Sequence, residues 1–311
     1  MGARNTRVTC RSRTAYCPDQ RIVTVAARNL IICLVFLALL ASTALAQTGQ
    51  KRKFPLAKEH GKIIESGGKV LLYGGKDESW HFDITQFRLD VNKLHHGIGR
   101  EQFDALIGPE FVTASEADSW LGDDKRVLAV AVGGEVKAYP LTLMTRHEAV
   151  NDVVGGVPVM PVFCILADLG SVYDRRMMGH TFTFGVSGYT YADPAYWDGM
   201  NAFVLWDRDT ESLWWPLTGT AVSGPLIDKP LKLLDETLWS QTTWGELKAL
   251  HPDAIVMAPG QTIDPQSGWP RLSDDEVARL NGQSSTADSL APRWGVNPSL
   301  ENSRPQGSGK K

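Results

Sequence analysis

The chain has 311 residues, with 32 Lys and Arg against 35 Asp and Glu, a net charge of −3, and four cysteines. This length, with a hydrophobic content of 43%, suits one large domain with its own core and appended segments. The acidic balance excludes the basic footprint of a nucleic-acid binder, and so few cysteines exclude a disulfide scaffold.

Residues 1–29 hold six arginines and one acid, followed by the apolar run Leu30 to Leu40 and then Ala44-Leu45-Ala46. A positive region, a short apolar region and a small-x-small site read as a signal peptide over 1–46, which places the protein in the periplasm or outside the cell. The apolar run is shorter than the roughly 20 residues of a membrane helix, so no stable span is expected after cleavage. Removing the leader leaves 26 basic against 34 acidic residues, a net charge of −8, and removes Cys10, Cys17 and Cys33. Cys164 then stands alone, so no internal disulfide can form.

Residues 47–97 read as an N-terminal extension partly packed on the core, 98–260 as the main domain, and 261–311 as a polar tail, disordered from about 282. In chain order, Gln102 to Ile107 reads as a helix. Ser115 caps a short helix through Leu121, with Asp118 in its first turn. Arg126 to Val132, Gly133-Gly134 and Glu135 to Met144 read as a hairpin, and Gly155-Gly156 as the turn of another. Val172-Tyr173 and Thr181 to Val186 flank a polar turn. Ala202 to Trp206 and Ser212 to Leu217 flank the turn Asp207-Arg208-Asp209-Thr210. Thr243 and Glu246 form a capping box opening a helix to Leu250, stopped by His251-Pro252. The expected fold class is α+β, mainly antiparallel β with a few short helices.

Several of these pieces carry a resemblance. They are Phe111-Val112, Val136-Lys137-Ala138-Tyr139-Pro140-Leu141, His147-Glu148 with Val150-Asn151-Asp152, and Gly155-Gly156-Val157-Pro158-Val159. Tyr173-Asp174-Arg175, Thr183-Phe184-Gly185-Val186-Ser187-Gly188, Trp206-Asp207-Arg208, Thr210-Glu211-Ser212-Leu213-Trp214 and Leu217-Thr218-Gly219 follow, then Trp244 with Leu247 and His251-Pro252. From about 98 to 260 the chain resembles an exported prokaryotic family known as domain of unknown function 3179. The resemblance implies a Cys-Pro-x-Cys after the Gly-Gly hairpin. Here those positions read Cys164-Ile165-Leu166-Ala167. With the second sulfur replaced by Ala167, an internal dithiol cycle and a two-thiolate metal site are both excluded.

The candidate chemistry gathers between His147 and Arg176. Cys164, His147 and Glu148 are candidate catalytic residues, since a nearby imidazolium lowers a thiol's pKa and a carboxylate orients the ring. The rival reading of Cys164 is a small buried hydrophobe. His147 and Cys164 also suit copper or zinc, although position 151 is Asn and the zincin spacing is absent. Asn151, Asp152, Arg175, Trp197 and Trp214 are candidate ligand-binding residues. Arg175 beside Asp174 can hold an anion or pin a turn. The tryptophans and tyrosines between Tyr189 and Trp215 can line a cleft or fill the core, with Trp214 and Trp215 on opposite faces. Tyr189 to Met200 reads as a lid or binding loop.

Three functional readings result. The first is a binding or redox-related accessory module centred on His147 and Cys164, using a metal or a single thiol. The second is a Cys/His-dependent hydrolase or transferase. The third is a structural or glycan-binding envelope protein using a Trp/Tyr face. A monomer is expected, with a small-molecule, metal or envelope partner and no nucleic acid.

Overall fold

The computed structural model describes residues 59–195, 201–263 and 271–282. Within them β-strands dominate and helices are short, in an α+β arrangement with mostly antiparallel pairing.

A central sheet of four strands has the order Leu169–Asp174, Val157–Cys164, Val150–Val154 and Leu106–Ile107. Its Val157–Cys164 strand is apolar throughout for a physical reason: both of its faces are covered. Met160, Val162 and Cys164 pack against Phe184, Val186, Phe203, Leu205 and Trp214 of a six-stranded sheet. Val159 and Phe163 alternate to the other face and meet Leu128, Val130 and Tyr139 of a five-stranded sheet.

The outer face of the five-stranded sheet is closed by two helices through Ala117, Trp244 and Leu247. On its far side, the six-stranded sheet packs Tyr189, Tyr191, Trp206 and Trp215 against Leu72 and Phe82 of the three-stranded sheet that precedes the main domain. Leu94–His96, from the same N-terminal stretch, pairs directly with Tyr189 to Tyr191.

The two Gly-Gly turns form as expected. Gly133 and Gly134 (φ +59° and +89°) and Gly155 and Gly156 (φ +54° and +79°) sit where only glycine is unstrained. A side chain on Gly155 would strike the Val132 carbonyl, so the two hairpin tips stack on each other. The hairpin from Ala202–Asp207 to Leu213–Trp215 is present, as is the Thr243/Glu246 capping box opening Trp244–Leu250.

Four expectations are corrected. Gln102 to Ile107 is not a helix; it is a turn ending in Leu106–Ile107, which pairs in parallel with Val150 and Asn151. The first helix is Ala114–Ala117, starting two residues earlier than expected and ending before Leu121, with Thr113 as cap and Glu116 closing the box, because both side chains reach the opposing backbone. The strand Glu135–Pro140 stops at Pro140 and the helix Leu141–Met144 follows. Tyr189 to Tyr191 continues the strand Phe184–Tyr191 past a bulge rather than opening a loop. A further helix, Asp274–Gly282, forms in the polar C-terminal stretch. Among the described residues no helix is long and apolar enough to cross a membrane.

Candidate functional site

The helix Leu141–Met144 is followed by a sharp reversal. The Glu148 N–H donates to the Met144 carbonyl at 2.7 Å, and Glu148 itself takes φ +56°, an uncommon conformation for a residue with a side chain. The reversal sends Ala149 into an isolated antiparallel bridge with Val162. The Phe163 N–H donates to the Glu148 carbonyl at 2.8 Å. His147-Glu148 is thereby laid beside the end of the strand that carries Cys164.

Cys164 is 2% exposed. Burial pushes its thiol up to about 12, and a charge on neighbouring Glu148 pushes the same way. The backbone N–H groups of Phe203, Ala167 and Leu166 oppose that rise, because they favour an anionic sulfur. The sulfur also lies 3.9 Å from the Asn201 carbonyl. At neutral pH it is a protonated, enclosed thiol, not a nucleophile in waiting.

Glu148 is 5% exposed, and burial alone pushes its carboxyl up to about 8. Its side chain has no hydrogen-bond or ion-pair partner among the described residues. Other buried acids differ in this respect. Asp152 accepts from Lys137 Nζ at 3.0 Å and Tyr139 OH at 2.7 Å. Asp207 accepts from Trp214 Nε1 at 2.8 Å and from the Thr210 N–H and hydroxyl. His147 is fixed by its Nδ1, 2.8 Å from the Asp104 carbonyl. A carbonyl only accepts, so the proton sits on Nδ1, and Nε2 carries the lone pair in the neutral ring.

The other sequence candidates hold the fold. Asn151 donates to the Leu106 and Phe184 carbonyls and accepts from the Phe184 N–H at 2.8 Å, tying the central sheet to the six-stranded one. Arg175 spends its guanidinium on the carbonyls of Val159, Phe182 and Asp152. Trp214 and Trp215 do lie on opposite faces of their sheet, yet both are fully buried, because each face is covered by another layer. Trp197 lies outside the described residues. No group of three or more His, Cys, Asp or Glu among the described residues is placed to hold a metal ion.

A buried charge network escaped the sequence reading. Glu101, 3% exposed and at φ +55°, accepts from Arg208 Nε at 3.0 Å, Arg208 Nη2 at 2.8 Å and Trp206 Nε1 at 2.9 Å. Arg100 next to it stacks 3.7 Å from the Trp206 ring centroid and reaches Glu211 at 2.9 Å. The available signal was Gly185. A Cβ there would overlap the Glu101 carboxyl and Trp206 Nε1, so that glycine marks the seat of the acid.

Residues 100–270 match the model of a family described as a protein of unknown function (DUF3179), and the chain belongs to that family. No curated protein and no solved structure matches the chain.

Proposed function

We propose that this DUF3179 protein is an exported accessory module that binds its ligand at a one-thiol centre made by Cys164, Glu148 and His147. The observation that carries the reading is Glu148: a carboxyl only 5% exposed, with no hydrogen-bond or ion-pair partner among the described residues, beside the enclosed thiol of Cys164. An unpartnered buried polar group opposes folding by about 1–3 kcal/mol. Folds retain such groups, and such backbone conformations, where binding or chemistry uses them.

A centre with one sulfur has no dithiol cycle. Because no third ligand converges among the described residues, single-thiol binding is favoured over a closed copper or zinc site. The enclosed, protonated sulfur argues against a hydrolase or transferase that starts from a free thiolate. Export to the periplasm or beyond rests on the leader over residues 1–46.

Native mass spectrometry of the protein isolated from the exported fraction tests the reading. The expected result is a small-molecule or ion adduct on the wild-type chain that Cys164→Ser and Glu148→Met both lose. A bare chain mass, together with a loss of stability in Glu148→Met, overturns it.

A further inference from the structure

A second candidate site lies away from Cys164, where the segment beyond the matched family residues folds back on the domain. There a cavity of about 290 Å³ is lined by Thr210 from the domain and by Arg271, Asp274, Val277, Ala278 and Asn281 from the C-terminal segment. This is at the small end of the roughly 300–1,000 Å³ usual for ligand pockets, a size for a metabolite rather than a polymer.

The wall is anchored rather than loosely apposed. The Leu272 N–H donates to the Asp209 carbonyl at 2.9 Å. Asn281 Nδ2 donates to the Pro225 carbonyl at 2.8 Å. Leu280 is buried in the core beneath.

Two opposite charges face this cavity without neutralising each other. Arg271 pairs through one nitrogen with Glu211 at 2.8 Å and is otherwise largely exposed. Asp274 has no ion-pair or hydrogen-bond partner among the described residues, and Arg271 and Asp274 are not within ion-pair distance of each other. Val277 and Ala278 supply apolar wall between helix and domain. Separate positive and negative groups over a small, partly apolar hollow complement a small zwitterion: a guanidinium suits a carboxylate, and a carboxylate suits an ammonium.

We infer that this cavity binds a free α-amino acid with a short aliphatic side chain, its carboxylate on Arg271, its ammonium on Asp274 and its side chain on Val277 and Ala278. The site is independent of the Cys164 centre. Arg271 to Asn281 lie outside the family match, so the specificity belongs to this chain's own C-terminal segment and not to the family domain.

Isothermal titration of the purified full-length chain with L-valine tests the inference, beside N-acetylvaline, which lacks the ammonium, and valinamide, which lacks the carboxylate. One binding site for valine is expected, with both blocked analogues at least tenfold weaker. Asp274→Asn, at an exposed position, is expected to weaken valine at least tenfold, and Arg271→Gln to abolish discrimination against valinamide. Cys164→Ser is expected to leave valine binding unchanged. Absence of binding at millimolar valine, equal binding of the blocked analogues, or an unchanged affinity in Asp274→Asn overturns it.

Discussion

Glu148 and Cys164 are interior neighbours on adjoining segments joined by the Ala149–Val162 bridge, and ionised Glu148 makes it harder for Cys164 to ionise. Burial raises both groups, so each is held in its protonated form at neutral pH. This relation separates the centre from an activated cysteine site, where a cationic neighbour lowers the thiol.

The thiol is accordingly expected to be slow. Its shift from 9.0 to about 12 lowers the thiolate fraction roughly a thousandfold at a given pH below both values. Alkylation of the native protein by iodoacetamide should lag that of the urea-unfolded chain by at least that factor. Comparable rates would show that the sulfur is reachable and ionised.

The carboxyl predicts a pH dependence with a definite sign. Glu148 titrates near 4.5 when unfolded and near 8 when folded, so between these values the native state binds more protons. Stability must then fall as pH rises from about 5 to 8, by about 1.4 kcal/mol per pH unit for such a group. Buried Asp207, raised to about 7, adds a slope of the same sign up to its own value. Denaturation midpoints across this window should flatten partly in Glu148→Met. An unchanged slope in that variant would assign the effect elsewhere.

Gly185→Ala should destabilise the protein by about 1–3 kcal/mol, because the added methyl meets the Glu101 carboxyl and Trp206 Nε1. Glu101→Gln should weaken the fold further, by about 3–5 kcal/mol, by leaving Arg208 buried beside a neutral amide. Guanidinium denaturation reads both. A neutral Gly185→Ala would mean that the acid has room to move.

Trp214→Phe removes a hydrogen bond to buried Asp207 and should lower stability by about 1–3 kcal/mol. Because Trp214 is sealed in the core, its fluorescence should be unaffected by added glycan. A glycan-dependent shift assigned to Trp214 by this variant would reopen the aromatic-face reading.

Much of the fold could be read in the sequence where local chemistry decides structure. The Gly-Gly turns and the Thr243/Glu246 box are such places, since glycine at positive φ and reciprocal capping act over a few residues. The apolar run Val157–Cys164 announced a strand but not that both its faces are covered, which depends on the stacking of three sheets. For the same reason Trp214 and Trp215 split between faces as alternation requires, yet neither reaches a cleft. The sequence sets His147-Glu148 one hairpin away from Cys164; in the structure Glu148 acts on the Cys164 thiol, while the His147 ring is held by the Asp104 carbonyl. The partnerless state of Glu148 and the commitment of Asn151, Asp152 and Arg175 to the fold depend on long-range contacts no local pattern encodes. Glu101 was missed because its partners, Trp206 and Arg208, lie more than a hundred residues away.

The stability of Glu148→Met at neutral pH, by equilibrium chemical denaturation, tests the central claim most directly. Removing a buried carboxyl that has no partner among the described residues should raise stability by about 1–3 kcal/mol, the mark of a group kept for binding rather than for folding. A variant less stable than the wild type by a similar amount would show that Glu148 supports the fold, and would contradict the one-thiol centre as the site of function.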